Sequence, residues 1–229
     1  MFASHRLCAL VAIALLQFSL PRPASAFIPW SNTNGDATTF TWSGGGSDNG
    51  LYGDPLLVGG DSLVFTPGGY RAESLNGVAD AKADRLQVDL HAKPGFAFLG
   101  IELFEGGDYG ILGQGSVSAS GTLFVNDLDL PRNLHDDIIT SPLSPILSGS
   151  GAWTGSANVP IPSVPGDLWT NVRIVLDNNL LAISTPGGVS FIEKKFAGLS
   201  VRVLIPEPSS VALLSLGGLA LLRRRRRAL

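Results

Sequence analysis

Glu102, Glu105 and Asp108 fall within one short stretch, and Asp127 and Asp129 follow downstream. Two carboxyl groups about 5–10 Å apart across a sugar would make a glycosidase. In an extended chain, however, Glu102 and Glu105 point to opposite faces because their spacing is odd, whereas Asp127 and Asp129 share one. No Glu-x-Asp-x-x-Glu constellation is present, so these acids read as solvated groups at strand edges. Outside the first residues the histidines are His91 and His135, neither with a second ligand at metal spacing. Hard oxygens occur in Asp48-Asn49-Gly50, in the Asp80/Asp84 pair and in Asp136-Asp137. They admit a structural calcium without matching a known calcium-loop pattern. Nucleophilic catalysis has no foothold: there is no Gly-x-Ser-x-Gly elbow, and Gly44-Gly45-Gly46 precedes no Gly-Lys-Ser/Thr.

Aromatic side chains could stack on sugar rings, the obvious set being Trp30, Trp42, Trp153, Trp169, Tyr52, Tyr70 and Tyr109. In β-rich chains such residues more often pack the core. Trp42 and Trp153 occupy strand-like positions and are expected inside. Trp169, after Pro165-Gly166-Asp167, is expected nearer the surface. None is assigned a ligand.

The elements that would hold these groups are strands. Residues 85–91 alternate, with Leu86, Val88 and Leu90 on one face. Residues 62–66 lie between Gly59-Gly60-Asp61 and Pro67-Gly68-Gly69. Residues 96–104 are almost wholly apolar and predict a central strand buried on both faces. Residues 116–125 alternate again. Asp177-Asn178-Asn179 predicts a hairpin turn between strands 172–176 and 180–184. Pro186-Gly187-Gly188 then leads into strands 189–196 and 199–205. The Gly59-Gly60-Asp61 and Gly106-Gly107-Asp108 echoes read as turn chemistry, and residues 131–145, punctuated by prolines, as a surface loop. About ten short strands give an all-β chain, a β-sandwich with a jelly roll as one form.

Both ends carry other signals. Residues 1–26 form a secretory signal: an apolar run over 7–18 ends at Pro21 and Pro23, and Ala24-Ser25-Ala26 offers signal peptidase a cleavage site at Ala24 and Ala26. The only cysteine, Cys8, lies inside it, so the mature chain has no thiol or disulfide. At the other end, Pro206-Glu207-Pro208 precedes the uncharged apolar segment 211–222 and the basic block Arg223, Arg224, Arg225, Arg226 and Arg227. A helix over 211–222 would be roughly 18 Å long against a hydrocarbon core of about 30 Å. It is therefore a marginal anchor, with the arginines as its cytoplasmic stop. The prolines keep the preceding peptide extended and open to a processing enzyme.

This tripartite tail resembles the PEP-CTERM sorting signal of bacterial surface and matrix proteins. The resemblance is confined to residues 206–229. It implies recognition by an exosortase-type membrane transpeptidase, transient inner-membrane insertion with the C-terminus inside, and a setting rich in extracellular polysaccharide.

The chain thus divides into a signal peptide at 1–26 (a cleavable helix), a β-sandwich domain at 27–205 and a sorting signal at 206–229 with a short hydrophobic helix. The middle part holds nine Lys and Arg against eighteen Asp and Glu, a net charge of −9 that the whole-chain value of −3 hides. That balance disfavours nucleic acid and anionic membranes as partners. It accords with neutral glycans or calcium. The expectation is a non-enzymatic exported protein of the cell surface or extracellular matrix, without a catalytic site or organic cofactor, associated with exopolysaccharide. A carbohydrate-binding module is the first alternative, and a glycan hydrolase or lyase the second.

Overall fold

In the computed structural model residues 27–204 are described, and they are all-β. The two terminal helices expected at 1–26 and 206–229 lie outside these residues, as do Ala24, Ala26, Pro206, Glu207, Pro208 and Arg223 to Arg227. The first half runs through β1 (Ile28–Pro29), β2 (Gly35–Asp36), β3 (Phe40–Ser47), β4 (Leu56–Val58), β5 (Ser62–Phe65), β6 (Arg71–Leu75) and β7 (Asp80–Ala92). The second half comprises β8 (Ala97–Leu112), β9 (Gly115–Asp127), β10 (Asn133–Asp137), β11 (Ile139–Ser141), β12 (Gly149–Pro160), β13 (Asn171–Ser184) and β14 (Val189–Leu204).

These strands make two seven-stranded antiparallel sheets. One, the first sheet, has the order β1-β3-β7-β13-β9-β10 with β2 on β3; the second has β11-β12-β8-β14-β5-β4 with β6 on β14. Period-two patterning accounts for the packing. Leu86, Val88 and Leu90 of β7 and Val172, Ile174 and Leu176 of β13 face inward from the first sheet, and Ile101, Leu103 and Leu199 meet them from the second. Phe40, Phe65, Phe98 and Trp153 fill the space between, and removing such a side chain costs about 3–5 kcal/mol. The expected β-sandwich is therefore what the chain forms.

Several boundaries differ from the sequence reading, for identifiable reasons. Asp177-Asn178-Asn179 is no turn: β13 runs through it, paired with β7 on one side and β9 on the other. Asn178 is buried against a carboxylate in the core, while Asp177 turns outward to Arg85 at 3.5 Å. Strands 189–196 and 199–205 are one strand, β14, kinked where its register slips between Lys194 and Phe196. Gly106-Gly107-Asp108 lies mid-strand in β8, opposite that slip. A Cβ on Gly107 would sit 1.8 Å from the Glu193 carbonyl oxygen, so the bulge demands glycine there. Residues 131–145 are not simply a loop; they supply the edge strands β10 and β11. Strand β8 is central, between β12 and β14, but buried on one face only, with Phe104 projecting outward 55% exposed.

Candidate functional site

The outer face of the second sheet is a grid fixed by strand register. Asn158 of β12, Glu102 of β8 and Ser200 of β14 stand abreast, and Ser62 of β5 continues the row, its hydroxyl 3.1 Å from that of Ser200. In the next row Ser156, Phe104 and Gly198 are abreast. The bulge at Lys195 resets the pleat of β14, so that Lys194 points inward and Phe196 outward. Phe196 thereby reaches Phe104, ring centroids 5.4 Å apart. Glycine stands opposite each ring (Gly198 facing Phe104, Gly106 facing Phe196), and of the two rings Phe104 is exposed and Phe196 half-buried. Arg202 lies across the polar row, 2.9 Å from Glu102 and 3.0 Å from Asn158 Oδ1. Strands β10 and β11 raise a wall along one side. Between wall and sheet opens a groove of about 450 Å³, lined by Glu102, Phe104, Asp136, Ile139, Asn158 and Ser200.

Directly beneath, on the inner side of the same two strands, lies a polar cluster. Glu105 and Lys194 are both fully buried, with Lys194 Nζ 2.6 Å from Glu105 Oε2. Asn178 Nδ2 donates to the same oxygen at 2.6 Å from the opposite sheet. The rings of Tyr52 and Tyr70 flank the ammonium at 5.3 and 5.0 Å. Burial pushes Lys194 down further than the carboxylate beside it pulls it back up. The Tyr52 and Tyr70 hydroxyls are both pushed well above their ordinary value, chiefly by burial. Tyr70 donates its hydroxyl to the Asn178 carbonyl at 2.8 Å, whereas Tyr52 Oη, Glu105 Oε1 and Asn178 Oδ1 are buried without a partner.

The sequence-derived candidates scatter. Glu102 and Glu105 do take opposite faces, but Glu105 is a core residue and not a solvated acid, because Lys194 and Asn178 compensate its burial. Asp127 is likewise buried, held at the rim by Arg132, which also reaches Asp167 at 2.6 Å. Burial alone would raise the Asp127 carboxyl; the Asp129 amide and the Arg132 guanidinium outweigh it and hold it below the usual carboxylate range. Asp129 accepts from Asn171 at 2.9 Å. The aromatic candidates are enclosed. Trp169, expected at the surface, is 3% exposed, its ring capped by Arg132 at 4.8 Å. Trp30, Trp153, Tyr52 and Tyr70 are core residues, and Trp42 and Tyr109 pack against them.

The calcium candidates do not converge either. Asp84 accepts from the Ser47 hydroxyl and from the Asn49, Leu51 and Arg85 amides, which fixes the 47–51 turn. Asp136 accepts from the Asn158 amide and Asp137 from the Thr122 hydroxyl. His91 sits between Ser43 and Asn171, and His135 stacks near Phe124. Among the described residues no three His, Cys, Asp or Glu side chains gather as metal ligands.

Sequence reasoning missed Phe104 and Phe196. Period two from the polar Glu102 would have placed Phe104 outward, but the apolar run around it suggested burial on both faces. Phe196 faces outward only because of the bulge, which left no sequence pattern of its own.

No curated protein matches the chain. Similar solved structures include a family 29 carbohydrate-binding module, 14% identical over 74% of this chain and 79% of that one, with a TM-score of 0.22. Another is TmCBM61 in complex with β-1,4-galactotriose, 12% identical over 75% and 97%, TM-score 0.24. A third is the Stig cyclase Fisc from Fischerella sp. TAU, 14% identical over 77% and 99%, TM-score 0.23. Two residues past Arg202, at the margin of the groove, β14 delivers the chain at Leu204 directly into the segment that follows the sandwich. Residues 204–227 match the PEP-CTERM protein-sorting motif, so this β-sandwich carries at its C-terminus the sorting signal of that family.

Proposed function

We propose that the protein is a non-enzymatic component of the cell surface or extracellular matrix, sorted through its C-terminal signal, and that its sandwich holds a neutral polysaccharide of that matrix. The observation that carries the glycan reading is the outward-facing Phe104–Phe196 pair, Phe104 exposed and Phe196 half-buried, beside the row Asn158, Glu102, Ser200 and Ser62. Sugar rings offer apolar faces to aromatic side chains and hydroxyls at their edges. Two aromatic faces next to a band of hydroxyl, amide and carboxylate groups complement both. An open groove across strands suits a long chain better than a small molecule. Every Lys and Arg of the described residues lies within 4 Å of a carboxylate, so an acidic polymer finds no unpaired cation to bind.

A non-catalytic role is favoured by the state of the groove acids. Glu102 is engaged by Arg202, and Asp136 by the Asn158 amide. Neither stands unpartnered over open space, and the Arg202 guanidinium pairs with Glu102 as a carboxylate and not as a proton donor.

The test is affinity electrophoresis of the purified protein through gels containing the host's extracellular polysaccharide. The expected outcome is saturable retardation that falls about 5- to 12-fold in affinity for Phe104→Ala, the loss of a stacking contact of about 1–1.5 kcal/mol. Unretarded migration of the folded wild-type protein would remove the glycan from the proposal.

A further inference from the structure

The buried cluster places an amine, a carboxamide and a carboxyl in one closed chamber. Lys194 Nζ and Asn178 Nδ2 both lie 2.6 Å from Glu105 Oε2, so the two nitrogens stand no further apart than twice that distance. The side-chain carbon of Asn178 is one bond beyond. We propose that Lys194 and Asn178 become joined by an intramolecular isopeptide bond, with Glu105 as the proton shuttle.

The step balances without a co-reactant. Glu105 accepts a proton from the Lys194 ammonium, and the freed amine attacks Asn178 Cγ. The carboxyl then returns its proton to the departing carboxamide nitrogen and takes up the second proton that the attacking nitrogen sheds, which goes out with the ammonia as ammonium. The C–N bond to Nδ2 breaks, ammonia leaves, and a secondary amide joins the two side chains. No electron is gained or lost. Three features of the chamber favour this course. Burial disfavours the ammonium and so favours the nucleophilic amine. Glu105 Oε1 and Asn178 Oδ1, both buried and unpartnered, are the acceptors a shuttled proton would satisfy. Burial among Tyr52, Tyr70 and the core, with Asn178 only 4% exposed, limits the bulk water that would otherwise compete for the amide carbon.

The bond would have a structural purpose. It ties β13 in the first sheet to β14 in the second, closing the two faces of a sandwich whose described residues contain no cysteine. Strand β14 is also the last before the sorting segment, so tension on an anchored C-terminus reaches it first. A link at Lys194 would pass that load to the other sheet. As with a disulfide, the cross-link would also restrict the unfolded chain.

The experiment is a peptide map of the purified full chain, unfolded and digested with trypsin, then with a protease cutting after glutamate. With the bond, cleavage fails after Lys194 and proceeds after Lys195. Peptide 174–195 then appears one ammonia lighter than its sequence, and cutting at Glu193 opens the ring without releasing a fragment. Intact mass alone would mislead, because succinimides at Asn34-Gly35, Asn49-Gly50 and Asn76-Gly77 also lose ammonia; none lies in this peptide. Glu105→Ala is expected to give ordinary cleavage after Lys194 and the full mass. Wild-type protein that releases 174–194 at its full mass overturns the proposal, whether or not the variant folds. A linked Glu105→Ala chain would overturn the role given to Glu105.

Discussion

Glu102 and Glu105 share strand β8, yet one belongs to an open face and the other to the interior. Glu102 and its partner Arg202 are 47% and 45% exposed, lying flat on the outer sheet. Glu105 and Lys194 are 0% exposed and meet between the sheets. The contrast shows that the same pair of charges has opposite uses on the two sides of one strand. In water the attraction is screened and the desolvation cost small, so the outer pair is nearly neutral for stability and free to serve a ligand. Inside, both charges are stripped of water, and the pair persists only because its members compensate one another. A third pair, Asp127 with Arg132, lies between these extremes: the carboxylate is buried and the guanidinium half-exposed at the rim.

The largest effect is expected in the interior. Glu105→Ala leaves Lys194 without a counter-charge in the core, and a loss of about 3–5 kcal/mol is expected in denaturant unfolding. Replacing both members with apolar residues, Glu105→Leu with Lys194→Met, removes the stranded charge but also the link to Asn178, so only part of that loss should be recovered. A double variant as unstable as the single one would show that the interior depends on more than charge compensation. The covalent link to Asn178 is then the first explanation to examine.

That interior cluster also explains where the sequence misleads. The alternation of β7 and β9 is plain in the chain because Leu86, Val88 and Leu90, and Val117, Ala119, Leu123 and Val125, are apolar, with the buried Asp84 and Asp127 only at the ends of those runs. In β13 the pattern is interrupted at Asn178, in β14 at Lys194, and in β8 at Glu105 and the glycines after it. Each break suggests a turn or a new strand, yet the three lie together in space and satisfy one another. Single-strand reasoning treats each polar residue as a reason to leave the core. It has no means of seeing that the missing partner sits on another strand. The terminal sorting signal is legible for the opposite reason, because its parts are contiguous and depend on no tertiary contact.

The rim pair provides the intermediate case, and it carries a pH signature. The folded Asp127 carboxyl is held below its ordinary value, so it contributes stability above about pH 4, its unfolded pKa. That contribution is lost as pH falls through the depressed folded value. Arg132→Ala removes the charge that, together with the Asp129 amide, outweighs burial, and also the cap over Trp169. The variant should be less stable than wild type at pH 7, by an amount that solvent screening keeps modest, with the deficit narrowing as the pH drops below 4. Thermal melts of both proteins from pH 7 to pH 3 would show it. A deficit constant across that range would assign the effect of Arg132 to its packing on Trp169 and not to Asp127.

The smallest change in stability, and the sharpest separation of the two faces, belongs to Glu102→Gln. The substitution keeps the shape but removes the charge that faces Arg202, and unfolding free energy should stay within about 0.5 kcal/mol of wild type. Polysaccharide affinity should fall roughly 3- to 10-fold, the loss of one charge-assisted hydrogen bond to a sugar hydroxyl. The two readouts must separate for the outer row to be a binding surface. Unchanged affinity would move the polymer off the polar row and leave the Phe104–Phe196 pair as its sole support. A stability loss comparable to that of Glu105→Ala would mean that the outer charges, too, are structural, and the two faces of β8 would no longer differ in kind.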